Sequence, residues 1–321
     1  MLRLDRGILG AIGNTPLVRL RNITRNKGFE IFAKPEFLNP SGSIKDRIAS
    51  RMIEQAEEQG SLRPGGTIIE ASTGNTATAL AMIGGYKGYK VLILIPERVA
   101  SRDRVDIITK FGADIRRVPL NFGPSGQAQD ASVHGGFYEI PGRIMARKTE
   151  DQPKIWWARQ FSNPANVAAH REGTGREILK QMGRKRIDAI VASVGTGGTL
   201  VGLAEALREF SPLVVAVEPA GHPMLSRGLS KYPLIEGITD GFVYDILHKG
   251  LADKIVTVED STAIQMTHRL IREEGLFAGI SSGANLYAAI TIGDEMPGCR
   301  NIVTILPDSY SRYLTTEHYV T

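Results

Sequence analysis

Residues 39–47 read N-P-S-G-S-I-K-D-R and place Lys45 at a change from strand to helix. Residues 30–34 predict a strand, and residues 46–58 predict a helix for which Ser43 is a candidate N-cap. The positive end of a helix disfavours an ammonium ion, so an amine held there loses its proton more easily. Because a neutral amine can attack a carbonyl carbon, Lys45 is a candidate nucleophile. Taken alone, this short pattern also fits a solvated lysine that merely starts a helix.

A glycine-rich turn occurs past the middle of the chain, where residues 193–199 read S-V-G-T-G-G-T. The apolar run before it predicts a buried strand, and apolar residues recur at helical spacing after it. Such a turn points backbone N–H groups and a helix dipole at an anion, usually a phosphate. A dinucleotide fingerprint is the competing interpretation, because Glu218 follows near the position of a ribose-binding acid. The third glycine of that fingerprint would fall at Leu200, however, and this favours a lone phosphate monoester.

A third loop, residues 70–76, reads E-A-S-T-G-N-T and lies between a predicted strand at 67–70 and a predicted helix at 77–84. It combines hydroxyl side chains, an amide and a flexible glycine at a helix N-terminus. Several neutral donors together with a helix dipole suit a carboxylate and need no basic residue. The loop is therefore a candidate carboxylate-binding site.

These three loops and residues 279–284, G-I-S-S-G-A, occur in the order seen in the cysteine synthase and cystathionine β-synthase family, which the chain resembles. Residues 12–18 and 160–166, I-G-N-T-P-L-V and Q-F-S-N-P-A-N, are also similar to that family. The resemblance extends over residues 12–314. Members are fold-type II pyridoxal-phosphate enzymes, so the resemblance implies pyridoxal 5'-phosphate as the cofactor.

The alternation of strands and helices predicts parallel sheets with right-handed crossovers. Further strands are predicted at 90–95, 114–118, 189–194, 213–217, 254–258 and 301–306. The resemblance implies an α/β fold of two lobes, each a mostly parallel twisted sheet flanked by helices, like the tryptophan synthase β-subunit. The smaller lobe would comprise residues 46–152, with a mobile segment at about 92–137. The larger, cofactor-binding lobe would comprise residues 12–45 and 153–315.

The resemblance also implies roles for individual residues. Lys45 would be the catalytic residue and would carry the cofactor, and Asn75 and Ser281 would contact its ring hydroxyl and ring nitrogen. The cofactor phosphate would bind to the glycine-rich turn, at Gly195, Thr196, Gly197, Gly198 and Thr199. The substrate would be bound by Ser72, Thr73, Gly74, Thr76, Gln160, Gly237 and Asp240.

The function that the resemblance implies is β-replacement on a serine derivative through an aminoacrylate intermediate. Cysteine synthesis from O-acetylserine and sulfide is the default reaction. A cystathionine β-synthase type of enzyme, using serine or O-phosphoserine and an amino-acid nucleophile, is the alternative. A serine/threonine dehydratase and a non-catalytic scaffold are more remote alternatives. A dehydratase would be expected to show S-F-K-x-R around the lysine and four consecutive glycines in the phosphate loop, and this sequence has neither. The presence of Lys45, Asn75 and Ser281 together argues against a non-catalytic scaffold.

Three departures from the family pattern bear on the substrate pair. Ala77 follows the S-T-G-N-T loop where the family has glycine, and residues 96–104 have one residue extra and lack a methionine. Thr239 and Asp240 replace the Gly-Ala of G-I-G-A-G-F in cysteine synthases. A carboxylate at position 240 would repel anionic nucleophiles and attract a cationic amino group. The sequence thus raises the hypothesis of an amino-acid nucleophile, with a solvent-facing or turn-capping Asp240 as the alternative.

Composition bounds the remaining possibilities. The 321 residues are 42% hydrophobic and 23% charged, as in ordinary globular proteins. Since neither a long apolar stretch nor a signal-peptide pattern is visible, a cytoplasmic protein without membrane association is expected. The single cysteine, Cys299, and six scattered histidines predict no metal site, and the net charge of +5 without a recognised module predicts no nucleic-acid binding. The resemblance implies small-molecule amino-acid substrates, a homodimer, and serine acetyltransferase as a candidate partner.

Overall fold

The computed structural model describes residues 4–97, 102–118, 137–146, 155–221, 223–227 and 251–315. The chain divides into two compact units. The first comprises Met1–Ile44 and Asn166–Thr321, and the second comprises Lys45–Ala165. Each is an α/β unit built on its own sheet, and no helix among the described residues is long and apolar enough to span a bilayer.

The sheet of the first unit has six strands within the described residues, in the order β1-β2-β10-β7-β8-β9. Its outermost strand, β1, pairs antiparallel with β2, and all other pairs are parallel. The strands are β1 Val18–Arg19, β2 Glu30–Pro35, β7 Ala189–Ser193, β8 Leu213–Pro219, β9 Lys254–Val258 and β10 Asn301–Leu306. Because parallel strands end on the same edge, the loops that follow β2, β10 and β7 emerge next to one another.

Helices cover both faces of this sheet. The α-helices are α5 Pro164–Ala169, α6 Arg176–Met182, α7 Gly198–Leu207, α8 Met224–Arg227, α9 Asp260–Glu274 and α10 Ile280–Glu295. A π-helical turn, His170–Gly175, joins α5 to α6, and 3-10 turns occupy Leu4–Ala11, Glu36–Leu38, Arg208–Phe210 and Tyr310–Arg312. Ala189 and Val191 of β7 belong to one core cluster, and Ile190 and Ala192 belong to another. The strand is therefore buried on both faces, which explains its continuous apolar sequence.

The sheet of the second unit has four parallel strands among the described residues, in the order β5-β4-β3-β6. They are β3 Thr67–Ala71, β4 Lys90–Pro96, β5 Asp114–Val118 and β6 Ile155–Trp157. The accompanying helices are α1 Lys45–Glu58, α2 Asn75–Tyr86, α3 Arg102–Lys110 and α4 Ile140–Ala146. The sequence-based lobe boundary assigns residues from 153 onward to the larger lobe, whereas β6 pairs with β3 and so places residues 155–165 in the second unit.

Candidate active site

The glycine-rich turn lies between β7 and α7 in the first unit. Gly197 is the N-cap of α7 and has φ 88°, a left-handed conformation that glycine adopts without steric cost. The backbone N–H groups of Gly195, Thr196 and Gly197 donate to no backbone carbonyl of the described residues. Unpaired N–H groups in front of a helix N-terminus form an anion site, so the local geometry suits a phosphate.

A buried asparagine supports this turn. Asn166 is fully buried in α5, and its Nδ2 donates to Thr196 Oγ1 at 2.9 Å. Its Oδ1 would lie only 2.0 Å from a Cβ atom placed on Gly198, so only glycine fits at the start of α7. Sequence reasoning quoted Asn166 within the Q-F-S-N-P-A-N motif and assigned it no role.

A buried histidine contacts the other end of the turn. The π-helical turn carries His170, which is 1% exposed. One ring nitrogen, Nε2, lies 3.3 Å from Thr199 Oγ1, and the other, Nδ1, lies 3.0 Å from Thr174 Oγ1. His170 thus contacts the hydroxyl of the last residue of the turn, a contact that its sequence context did not indicate.

The acid that the dinucleotide interpretation invokes is engaged elsewhere in the first unit. The Glu218 carboxylate is fully buried and accepts hydrogen bonds from Leu225 N at 2.7 Å and from the Ser226 hydroxyl at 2.5 Å. It therefore caps α8 from the end of β8 and is committed to local structure. This arrangement supports the interpretation of a lone phosphate.

Ser281 lies in the first turn of α10 and is 5% exposed. Its hydroxyl has no hydrogen-bond partner among the described residues and is available to a ligand. The preceding Gly279 donates its N–H to the Asp308 carbonyl at 2.8 Å, and a Cβ there would come within 2.1 Å of Asp308 Oδ1. A ligand with a hydrogen-bonding ring nitrogen would satisfy the Ser281 hydroxyl.

Lys45 is the first residue of α1. The loop that leads to it is fixed by the segment after β10: Ile44 N donates to the Pro307 carbonyl at 2.8 Å, and Ser43 forms a β-bridge with Asp308. The Arg312 guanidinium donates to the Ser41 carbonyl. The predicted position of the lysine at a helix start is confirmed, and its approach loop is held from both sides.

The S-T-G-N-T loop connects β3 to α2 in the second unit. Gly74 precedes α2, and its N–H lies 3.4 Å from Ser72 Oγ. Thr76, in the first turn of α2, donates its hydroxyl to Gln160 Oε1 at 2.6 Å, and both side chains are buried. The structure therefore brings together two of the predicted substrate residues that are 84 positions apart in sequence. Gly237 and Asp240 lie outside the described residues.

A buried carboxyl group lies behind this loop. Glu70 is 1% exposed and accepts hydrogen bonds from Ala71 N at 2.8 Å and Gln160 N at 3.1 Å. The indole of Trp157 donates to it at 3.2 Å. Burial raises the pKa of Glu70 to about 7, although the donated hydrogen bonds oppose this shift. Glu70 is the first residue of the E-A-S-T-G-N-T loop, so it is visible in the sequence, but the sequence does not show that its side chain is buried and bonded to Gln160.

The donor set fits pyridoxal phosphate. In the first unit, the backbone N–H groups of the glycine-rich turn suit its phosphate, and the Ser281 hydroxyl suits its ring nitrogen. Lys45 is the first residue of α1 and carries an amine, the group with which the aldehyde of pyridoxal phosphate reacts. Within the ranges that the structure describes, no group of three or more histidine, cysteine, aspartate or glutamate side chains could hold a metal ion.

Comparisons with known proteins agree with this chemistry. The chain matches the family model described as pyridoxal-phosphate dependent enzyme over residues 8–308. It is 38% identical over 310 residues to a cysteine synthase of Staphylococcus aureus, covering 96% of this chain and 95% of that one. It is 41% identical over 316 residues to a cystathionine beta-synthase of Apis mellifera, covering 96% of this chain and 60% of that longer protein.

A solved structure is similar over nearly the whole chain. The crystal structure of an O-ureido-L-serine synthase superimposes with a TM-score of 0.85 at 36% identity, covering 97% of this chain and 93% of that one. This likeness confirms the predicted fold class of two α/β units with parallel sheets. The family match, the near-full-length relatives and the fold together show that the chain belongs to the pyridoxal-phosphate dependent enzymes of the cysteine synthase and cystathionine β-synthase family.

Proposed function

We propose that this enzyme catalyses β-replacement on a serine derivative and that it forms cysteine from O-acetylserine and sulfide. The observation that carries the proposal is the pairing of Thr76 with Gln160 in a hydroxyl-rich loop at the start of α2. A loop of neutral donors at a helix N-terminus suits the carboxylate of an amino acid. The near-full-length similarity to a cysteine synthase supports the choice of reaction.

The residues that hold the cofactor are assigned from the family resemblance, and the local chemistry of the glycine-rich turn and of Ser281 supports the assignment. The turn formed by Gly195, Thr196, Gly197, Gly198 and Thr199 takes the phosphate, with Asn166 and His170 supporting it. Ser281 takes the ring nitrogen, and Asn75 takes the ring hydroxyl. When bound, pyridoxal phosphate withdraws electrons from the substrate α-carbon, which acidifies its proton and lets a β-substituent leave.

The chain itself supplies the proton transfer and the binding of the substrate. Lys45 Nζ removes the proton from the α-carbon and returns it after the nucleophile has added to the β-carbon. Ser72, Thr73, Gly74, Thr76 and Gln160 bind the substrate carboxylate and orient the α-proton toward the lysine. The neutral Ser281 hydroxyl would stabilise positive charge at the ring nitrogen less than an aspartate would, so the bound ring would be a moderate electron sink that suits loss of a β-substituent.

A cystathionine β-synthase type of reaction is the second candidate. The sequence motivates it through Asp240, because a carboxylate would favour a nucleophile with an ammonium group over hydrosulfide if the resemblance places it at the substrate. The 41% identity to the Apis mellifera protein is consistent with this candidate.

One experiment separates these functions. The purified holoenzyme is incubated with serine, O-acetylserine or O-phosphoserine, each with sulfide, thiosulfate or homocysteine, and products are identified by mass spectrometry. Cysteine from O-acetylserine and sulfide supports the proposal, and cystathionine as the main product supports the second candidate. Release of pyruvate and ammonia with no incorporated nucleophile would indicate a dehydratase and overturn both. Lys45→Ala, which lacks the amine, is the control that should form none of these products.

Assembly is a separate proposal drawn from the family resemblance. We infer a homodimer in the cytoplasm and serine acetyltransferase as a candidate partner. Light scattering on the purified protein tests the dimer, and co-elution with a purified serine acetyltransferase tests the partner. Monomeric protein at micromolar concentration, or separate elution of the two enzymes, would contradict the respective inference.

A further inference from the structure

We propose that Glu70 is a positioning residue for Gln160, and through it for the carboxylate-binding loop. The inference deepens the proposed function and rests on it, because it assigns Gln160 to the substrate carboxylate. Glu70 does not touch the substrate in this proposal. It acts by fixing the backbone from which the Gln160 side chain projects.

The Glu70 carboxylate accepts hydrogen bonds from two separate segments of the chain. Glu70 Oε2 accepts the N–H of Gln160 at 3.1 Å. Glu70 Oε1 accepts the N–H of Ala71 at 2.8 Å and the indole N–H of Trp157 at 3.2 Å. One carboxylate therefore ties the end of β3 to the segment that leaves β6.

The segment that leaves β6 has an unusual backbone conformation. Arg159 immediately precedes Gln160 and has φ 53°, a left-handed conformation that is unusual for a residue other than glycine. Such a conformation persists only where the surroundings fix it. Glu70 contributes to that fixation, because its oxygens accept from the backbone on one side of Arg159 and from the Trp157 side chain on the other. The N–H groups of Ser162 and Asn163, which donate to the Arg159 carbonyl, contribute as well.

The Gln160 side chain contacts the S-T-G-N-T loop. Gln160 Oε1 accepts the Thr76 hydroxyl at 2.6 Å, so the amide is oriented toward the first turn of α2. The order Glu70 to Gln160 to Thr76 runs from the buried carboxyl to a predicted substrate residue. A shift of the Gln160 backbone would therefore move the donors that face the substrate carboxylate.

A purely structural role explains the acid poorly. Removing a carboxylate from water costs more free energy than removing an amide of the same shape, because the carboxylate is charged. What the carboxylate offers is two acceptor oxygens for at least three N–H donors, whereas glutamine would turn an NH₂ group against one of them. The raised pKa of this group shows that its burial is costly, and an amide at this position would avoid that cost.

The test uses the full-length holoenzyme carrying Glu70→Gln. L-serine and L-serinamide are titrated into each protein, and the dissociation constants are read from the cofactor absorbance. Wild-type enzyme should prefer the acid, and Glu70→Gln should weaken serine binding by about tenfold or more while changing serinamide binding little. In steady state, KM for O-acetylserine should rise by a similar factor, with a smaller change in kcat, since the loss is in uniform binding.

Two further variants make the outcome decisive. Gln160→Ala should lose the same preference for the acid, and the double variant should be no worse than either single variant, because the two residues act in series. Glu57→Gln is the matched control: Glu57 accepts the Tyr89 hydroxyl at 2.6 Å on α1 of the same unit, and its loss should leave the preference intact.

Each remaining outcome has a defined meaning. Folded Glu70→Gln that retains the wild-type preference, or that weakens both ligands equally, overturns the positioning role. Wild-type enzyme with no preference for the acid overturns the carboxylate site itself. If Glu70→Gln does not fold, Glu70→Asp replaces it, because the shorter side chain keeps the charge and withdraws the oxygens from Gln160. A folded and fully selective Glu70→Asp would then refute the inference.

Discussion

The amide group of Asn166 lies directly against Gly198, the first residue of α7. Asn166 Nδ2 donates to Thr196 Oγ1 at 2.9 Å, and its Oδ1 occupies the space that a Cβ on residue 198 would need. The buried Asn166 side chain thus packs against the start of α7, in the turn that we assign to the cofactor phosphate. The packing of Asn166 against the turn therefore requires that residue 198 has no Cβ atom.

Gly198→Ala should therefore weaken cofactor binding by at least tenfold. Alanine favours a helix over glycine by about 1 kcal/mol, but a contact of 2.0 Å must displace either Asn166 or the turn. Pyridoxal phosphate is titrated into the apo-protein and followed by absorbance. Gly28→Ala is the control, because a Cβ there meets no atom within 4 Å. Equal affinity in the Gly198 variant and the wild type would show that the turn adapts freely.

Borohydride reduction should attach the cofactor to Lys45. This amine lies at the start of α1, while Lys34 is fully buried and paired with Glu177 at 2.9 Å. Peptide mapping by mass spectrometry locates the pyridoxyl group. A label on Lys34 or Lys90 would refute the assignment, and Lys45→Ala should show no turnover.

Ser281→Ala should retain the cofactor and lose only part of the rate, because a neutral hydroxyl contributes modestly at the ring nitrogen. Ser281→Asp should protonate that nitrogen and stabilise a carbanion, giving new absorbance at long wavelength in the presence of serine. Ser282→Asp provides the comparison at the next, fully buried position of the same helix. An unchanged spectrum for Ser281→Asp would contradict the placement.

The stability of the protein should depend on pH through Glu70. Its pKa is raised from 4.5 to about 7, so the folded state binds the proton more tightly than the unfolded state. The associated stability is fully present below about pH 4.5 and is lost as pH rises through about 7. Relative to Glu70→Gln, the wild type should lose on the order of 3 kcal/mol of unfolding free energy over this interval. Urea unfolding at a series of pH values measures the difference, and a constant difference would contradict the shift.

Asp240 allows a prediction from sequence alone. If its carboxylate selects a cationic nucleophile, Asp240→Ala should weaken homocysteine as the second substrate and spare or improve sulfide. The Coulomb attraction involved is on the order of a few kcal/mol before desolvation costs. The ratio of kcat/KM for the two nucleophiles measures the effect. Equal losses for both, or no change in either, would remove Asp240 from the specificity argument.

The sheets were largely predictable because parallel strands buried on both faces leave continuous apolar runs in the sequence. The predicted strand at 301–306 coincides with β10, and the predicted strand at 189–194 differs from β7 by one residue. Strands β1 and β6 were missed, since two and three residues are too few to show a period. The π-helical turn His170–Gly175 was missed as well, because a helix with one wider turn has nearly the same apolar spacing as an α-helix.

The candidate site divides in the same way. Its loops were predictable because each contains glycine and hydroxyl residues directly after a strand. The residues that hold the loops in shape were not, because they are distant in sequence: Asn166 contacts Thr196 over 30 positions, and Glu70 contacts Gln160 over 90. Both residues belong to recognisable motifs, but neither motif indicates a contact so far away in sequence, so only the packed structure reveals the partner.

The position of β10 has a consequence for how the protein is made. This strand pairs with β2 on one side and β7 on the other, yet it is the last strand among the described residues. During synthesis, β2 and β7 cannot pair with β10 until β10 has left the ribosome. The hydrogen bond from Ile44 N to the Pro307 carbonyl, in the loop before Lys45, cannot form before then either. The second unit, whose strands are contiguous in sequence, can fold much earlier. A nascent chain can therefore carry a folded second unit while β2 and β7 still have unpaired edges, which are prone to wrong strand pairing.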